Sequence, residues 1–336
     1  MAMEKMEIKT ISNMEDYNIV HKIPPIPQAI KEAVNRNTLV VFIGAGVSRI
    51  IGCMGWDQLA KNLISVCFNT KNKIQTSTLI NFKEKETLTQ CNDHKKIITI
   101  CHHILKENDL EELFYKEFDK ALEANKEKEK EFDIYKELFG LRGIFISTNA
   151  DEHFDKKFTS KNRISNIDDF NISEINRSKL YKIHGTQKKR ESLIFTIPAY
   201  IHQYNQLKFK KFLEEIFGSE RINTKYTVLF VGYGMSEFEL LDYLITKFDS
   251  TKKNKTTYRE IKHYILLPFY KGEENILNFE QSYYNLMGVQ VLGYEKDEKG
   301  YNQLYEVIKK WNEEINQTST YTLESFQEIE NIISSL

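Results

Sequence analysis

Glycine and proline are scarce in this chain, 14 and 5 of 336 residues. Where glycine is rare, a cluster of it is informative, and six of the 14 stand at positions 44, 46, 52, 55, 232 and 234. Cysteine is also sparse. The four, Cys53, Cys67, Cys91 and Cys101, include no Cys-x-x-Cys pair, which argues against a disulfide framework. Cys91, His94, Cys101 and His102 lie close together, but their spacing matches no common zinc pattern, so no metal is expected. Long hydrophobic runs are missing too. The most apolar stretch, Leu39 to Val47, is far shorter than the ~20 residues of a membrane-spanning helix. The opening MAMEKMEIKT is charged and has no signal-peptide core, so a soluble, cytoplasmic protein without membrane contact is expected. Neither sign of charge dominates. With 47 Lys+Arg against 48 Asp+Glu, the net charge of −1 argues against coating nucleic acid through a broad basic face. The basic loop at 251–255 reads as a solvated loop.

Apolar residues make up 41% and aromatics 12%, enough for a core and incompatible with wholesale disorder. Runs of bulky apolar residues without alternation mark strands buried on both faces: 38–44, 143–147, 180–185, 227–232, 263–269 and 289–294. A further short strand is a candidate at 192–196. Helical spacing appears at 27–36, 57–68, 93–106, 108–124, 127–139, 151–159, 199–217, 236–248, 301–316 and 322–335. Residues 70–92 are polar and fit no one element, 160–178 is a polar connection, and 249–259 is a basic loop. The alternating charges of Lys126–Glu131 read as a solvated helix face. Strands alternating with helices predict an α/β, Rossmann-like, doubly wound parallel sheet of about six strands. The stretch 57–139 reads as a helical insertion within one domain spanning 1–336, and 300–336 as C-terminal helices.

In such sheets ligands sit beyond the carboxyl ends of the strands. The residues there are unusual. After the first strand come Gly44, Ala45, Gly46, Val47 and Ser48, a turn suited to close approach of a phosphate and followed by a helix start. After the second come Ser147, Thr148, Asn149, Ala150 and Asp151, short polar residues that pack poorly and hold ligands by hydrogen bonds. Asp151 equally suits a helix N-cap. His184 and Gly185 end the third strand. Gly232, Tyr233, Gly234 and Ser236 form a second glycine turn, and Gly293 and Tyr294 lie on the last strand.

GAGVS, STNAD, KIHG and GYG in this order resemble the sirtuin superfamily, and most nearly its bacterial sirtuin-like NADase branch from anti-phage defence. The resemblance covers roughly 39–294. It implies that Asn149 and His184 are catalytic. It further implies that NAD+ is held by Gly44, Ala45, Gly46, Ser48, Trp56, Thr148, Asp151, Gly232, Tyr233, Ser236 and Tyr294. Two departures speak against deacylation. The zinc ribbon of protein-deacylating sirtuins is missing, and their Asp-Phe-Arg stretch is replaced by GCMGWDQL, with Trp56 and no Arg.

The resemblance therefore implies an NAD+ glycohydrolase that releases nicotinamide and ADP-ribose. Nicotinamide leaves as a neutral ring, so the protein's tasks are positioning and electrostatic. The Asn149 carboxamide would hold water or a ribose hydroxyl. His184, with a reference pKa of ~6.5, would accept the proton. An enzyme that depletes NAD+ needs control. The resemblance accordingly implies an abortive-infection effector, a homo-oligomer, and a separate sensor such as a HerA-like ATPase. Rival readings are a non-hydrolysing NAD or ADP-ribose sensor, a deacylase or ADP-ribosyltransferase, and a scaffold subunit.

Overall fold

The computed structural model describes residues 18–71, 77–218, 224–234, 240, 243–244 and 263–317. The helix expected at 322–335, the loop at 249–259 and most of the helix expected at 236–248 lie outside the described residues. No helix among the described residues is long and apolar enough to cross a membrane.

In chain order the elements are α1 (Gln28–Asn35), β1 (Leu39–Ile43), α2 (Ala45–Ile50), α3 (Trp56–Asn69), α4 (Phe82–Gln90), α5 (His94–Glu107), α6 (Glu111–Leu122), α7 (Lys126–Glu131) and α8 (Ile134–Gly140). They continue with β2 (Ile144–Ser147), β3 (Arg163–Ile164), β4 (Leu180–Lys182), α9 (Ile197–Asn205), α10 (Leu207–Phe217), β5 (Thr227–Val231), β6 (His263–Phe269), α11 (Glu274–Asn285) and β7 (Val289–Glu295). A last helix, α12, runs over 303–317.

The seven strands form one all-parallel sheet in the order β3-β4-β2-β1-β5-β6-β7. The unbroken apolar runs follow from this layering. Along β1, Val40 and Phe42 enter one core, while Leu39, Val41 and Ile43 enter the other. β5 repeats this, with Val228 and Phe230 on the first face and Leu229 and Val231 on the second. Helices α9, α10 and α11 cover the first face, and α1, α2, α8 and α12 the second. Helices α3, α5 and α6 build a third core of their own around Leu63, Ile98, Phe114 and Phe118.

Several expected elements take a different form. There are seven strands where about six were expected, because two residues of the polar connection, Arg163 and Ile164, pair with β4 at the sheet edge. Residues 192–196 are not a strand. Leu193 and Phe195 do alternate inward, but they enter the core of the helical layer, with Phe195 stacked on Phe114 at 4.8 Å. The helix expected at 151–159 is only a 3-10 turn at Phe154–Lys157. The Asp151 carboxylate accepts from the His153 amide, a local bond that competes with helix formation. The helix expected at 127–139 is two, α7 and α8, the second started by the Asp133 side chain capping the Lys136 amide at 3.1 Å. The helix expected at 199–217 is also two, broken at the extended residue Gln206. The unassigned 70–92 stretch contains α4, opened by an Asn81–Glu84 capping box.

β1 and β5 are neighbours from which the strand order proceeds in opposite directions, so their carboxyl ends form the topological switch point. The two glycine turns meet there. The Gly44 amide donates to Val231 O at 3.0 Å and the Gly46 amide to Gly232 O at 2.8 Å. A Cβ on Gly44 would stand 2.5 Å from Gly232 O and 2.6 Å from Tyr233 Cα, both backbone atoms. Gly232 itself has φ +60 and faces the Val47 amide. We expect Gly44→Ala to lower stability by about 1–3 kcal/mol through overpacking, visible as a reduced thermal midpoint. An unchanged midpoint would show that the turns can separate.

Candidate active site

The ends of β1, β2 and β4 are locked side by side. Thr148 N donates to Ile43 O and Ile183 N to Ser147 O, both at 3.0 Å. This brings the residues that follow each strand to one place.

A closed hydrogen-bond network joins Ser48, Tyr135, Asn149 and Asp151, all buried. As a carboxylate, Asp151 only accepts. The Ser48 hydroxyl, 2.6 Å from Asp151 Oδ2, must therefore donate to it. That uses Ser48's only proton, so its remaining contacts must donate to Ser48. They are Tyr135 OH at 2.8 Å and Asn149 Nδ2 at 2.8 Å. Burial and the neighbouring Asp151 charge hold the Tyr135 phenol well above its ordinary pKa, so it remains a donor. Asn149 Nδ2 also donates to Gly44 O at 3.1 Å. Both neighbours of Nδ2 accept, which fixes the orientation of the amide. Its carbonyl oxygen, Oδ1, then points the other way and has no hydrogen-bond partner, although Asn149 is only 7% exposed. Leaving a buried acceptor unpaired costs about 1–3 kcal/mol, the mark of a group that a ligand or water satisfies.

Asn149, Ser48 and Asp151 line a small cavity of about 50 Å³. It shares Ala45, Gly55, Trp56 and Thr148 with an adjoining cavity of about 710 Å³ over the switch point. The larger one is lined by Gly46, Gly232, Tyr233, Gly234 and Tyr294 from the strand ends, by Arg49 of α2, and by His94 and Lys95 of α5. Its volume suits a dinucleotide-sized ligand. Arg49 and Lys95 are the fixed cations among its lining residues, with Asp57 and Asp93 as the carboxylates. Burial holds the Tyr294 phenol above its usual pKa.

The structure thus gathers Ala45, Gly46, Ser48, Trp56, Thr148, Asn149, Asp151, Gly232, Tyr233 and Tyr294 around two connected cavities. Ser236 lies outside the described residues. Gly44 does not line either cavity, and the Gly44 and Gly46 amides are bonded to the β5 turn rather than offered to a phosphate. These glycines serve close packing of the two turns. Both Asp151 oxygens are engaged within the protein, Oδ2 by the Ser48 hydroxyl and Oδ1 by the His153 amide. His184 is 3% exposed and lines neither cavity. Its Nε2 lies 3.4 Å from Tyr204 OH, and its ring meets Tyr200 edge-on at 5.0 Å.

Tyr135, Arg49, Lys95 and Tyr200 were not singled out from the sequence, and His94 only as part of the Cys/His cluster. Arg49 stands three residues after Gly46, so its place in the first glycine turn was a readable signal. The others come from helices distant in sequence and carried none. Of the Cys/His cluster, only His94 reaches the cavity. His102 Nε2 bonds Glu111 at 2.9 Å, and Cys101 lies beside Cys67 in the helical core. Among the described residues no group of three His, Cys, Asp or Glu could hold a metal ion.

Fold and site together define a Rossmann-like α/β protein with a ligand cavity at its switch point. The family model of the SIR2-like domain matches residues 143–291, from the start of β2 into β7. The sirtuin-like resemblance read from the motifs holds over these residues, and a SIR2-like domain points to the NAD-related activity of the sirtuin superfamily. No curated protein matches the chain.

Beneath the site, Lys182 Nζ donates to Asp151 O and pairs with Asp155 Oδ1 at 3.0 Å. Both side chains are buried. Burial raises the Asp155 carboxyl above its usual pKa, against the pull of Lys182. An acid whose folded pKa is raised adds stability as pH falls through that value. Lys182→Met removes the counterion and raises that pKa further. We expect it to cost about 3–5 kcal/mol at pH 7.5, shrinking toward pH 5 as Asp155 takes up a proton, in urea unfolding at both pH values. A pH-independent loss would show that the ion pair is not the cause.

Proposed function

We propose that this chain cleaves NAD+ between nicotinamide and ribose, giving nicotinamide and ADP-ribose. The orphaned Asn149 Oδ1 carries the reading, because its forced amide orientation leaves an unpaired acceptor on a residue that lines the small cavity adjoining the dinucleotide-sized one. The SIR2-like match over 143–291 supports the same chemistry. In this reading Arg49 and Lys95 meet the diphosphate, and Trp56 and Thr148 stand at the junction of the two cavities. Asn149 Oδ1 accepts from the attacking water or a ribose hydroxyl. Asp151 acts through Ser48 to hold that amide. His184 takes up the proton. The C1′–N bond breaks with its electron pair passing to the pyridinium nitrogen, which leaves as neutral nicotinamide, and the water oxygen bonds to C1′, so no acid is needed. Charge developing on the sugar is met by fixed dipoles.

The proposal extends to biology through the motif resemblance: an NAD-depleting effector of an anti-phage, abortive-infection system. It would work as a homo-oligomer governed by a separate sensor such as a HerA-like ATPase.

One observation favours a second reading, binding without turnover: His184 does not reach the cavity wall. Calorimetry showing NAD+ binding with no nicotinamide released would select it.

Nicotinamide release from NAD+, followed by chromatography with and without the products of neighbouring genes, tests the proposal. Asn149→Ala and His184→Ala should each lose at least about 100-fold in rate. Arg49→Ala should raise KM roughly tenfold, a loss of ~1.4 kcal/mol of substrate binding. Cleavage by the Asn149 and His184 variants at the wild-type rate would sink the assignment.

A further inference from the structure

Helix α11 carries two apolar seams, and the sheet covers only one of them. The inner seam, Leu277 and Tyr284, lies in the first core of the sheet. Between these two the buried Gln281 accepts from the Val291 amide and from Gln290 Nε2, both at 2.8 Å, which fixes the helix on β7. The outer seam is Ile276, Phe279, Tyr283 and Leu286, each between 48% and 74% exposed. Leu286 is the C-cap and keeps helical backbone. With a turn every ~3.6 residues these four fall in one narrow stripe, on the side of α11 away from the core.

Single exposed apolar residues are ordinary on a protein surface, but a row of them is not. At about 150–250 Å² for a Phe or Tyr side chain, the row leaves roughly 450 Å² uncovered, as much as the largest patch of a typical monomer. Spacings of three, four and three residues are the a and d positions of a heptad, the seam along which two helices interlock. A second copy of this chain presents the same seam. A stable interface takes about 800 Å² from each partner, and the stripe alone supplies on the order of half of that. The edges of the stripe set the direction of pairing. Glu273 and Glu280 lie along one edge, and the uncharged Asn275 and Ser282 along the other. An antiparallel pair brings the two acidic edges together, and like charges placed side by side are unfavourable. A parallel pair sets each acidic edge against the uncharged edge of the other copy.

We propose that α11 is a self-association surface: a second copy of this chain packs its own α11 along the stripe, parallel and about a two-fold axis. This gives the homo-oligomer of the proposed function its contact and rests on that part of the reading, not on NAD+ cleavage.

The mass of the full chain in solution, from size-exclusion chromatography with light scattering at micromolar concentration, tests the surface. Wild type should have the mass of a dimer or an even multiple of it. Phe279→Glu, and Phe279→Glu combined with Leu286→Glu, put charge into the seam and should at least halve that mass, with the circular dichroism spectrum unchanged. If these variants do not fold, Tyr283→Ser combined with Leu286→Ser carries this arm. Phe82→Glu changes a comparably exposed aromatic on α4, 71% exposed, and should leave the mass as it is. A wild-type monomer overturns the homo-oligomer and the surface together. An oligomer that the α11 variants leave intact, or that Phe82→Glu breaks equally, overturns the surface and leaves the homo-oligomer standing.

A cross-link tests the direction. Oxidation of Ile276→Cys with copper phenanthroline should give a disulfide-linked dimer that the wild-type chain does not form. In a parallel seam the two copies of position 276 face each other, whereas in an antiparallel seam they stand about ten residues, ~15 Å, apart, beyond the reach of a disulfide. A chain that still dimerises without forming this link overturns the parallel pairing. Neither readout uses NAD+, so both results hold even if no nicotinamide is released.

Discussion

The close contact of two glycine turns organises the rest of the site. β1 and β5 run side by side and then separate at their carboxyl ends, and the backbones of Gly44, Gly46 and Gly232 touch where they part. Only residues without Cβ permit that approach. The contact sets the start of α2, and with it the positions of Ser48 and Arg49. It also leaves Gly44 O where Asn149 can donate to it. One steric constraint thereby fixes the floor of the cavity and the direction of the amide that faces it.

Hydrogen-bond accounting does the remaining positioning. Ser48 has one proton, and the Asp151 carboxylate takes it. Everything else around Ser48 must donate, which orients Tyr135 and Asn149 in turn. The network is buried and its members are satisfied, apart from the one unpartnered oxygen of Asn149, a residue that lines the small cavity. Lys182 and Asp155 hold this loop from below. The helical layer closes it from above, with Tyr135 from α8 and with Phe118 and Leu122 of α6 in the cavity wall. Helices α3, α5 and α6 have a core of their own, but their placement against the sheet is part of the site.

The sheet was largely legible because both of its faces are covered. Runs such as LVVFI and TVLFV must bury every residue, and nothing but a doubly covered strand accommodates that. Failures fell where tertiary partners override a local pattern. Leu193 and Phe195 alternate as in a strand, but the surface that they meet is a layer of helices. Residues 151–159 have helical spacing, but Asp151 spends its side chain and its carbonyl elsewhere. β3 is two residues long and polar in its surroundings, too short for any periodicity to register.

By itself, the sequence determined the strand order of the chemistry: which short polar and glycine-rich segments stand immediately after buried strands, since apolar runs and their breaks are local properties of the chain. Whether those residues face one another was decided only by the tertiary structure. Asn149 and Ser48 are about a hundred positions apart and share a hydrogen bond. Lys95 and Tyr200 reach the cavity, and Tyr135 the Ser48 network, from helices with no motif. His184, placed by its motif beside the reaction, lines neither cavity and packs edge-on against Tyr200. The physical reason is that hydrogen bonds and ring contacts act over a few ångströms in space, whatever the separation in sequence, and only the packing of the helical layer on the sheet sets those distances.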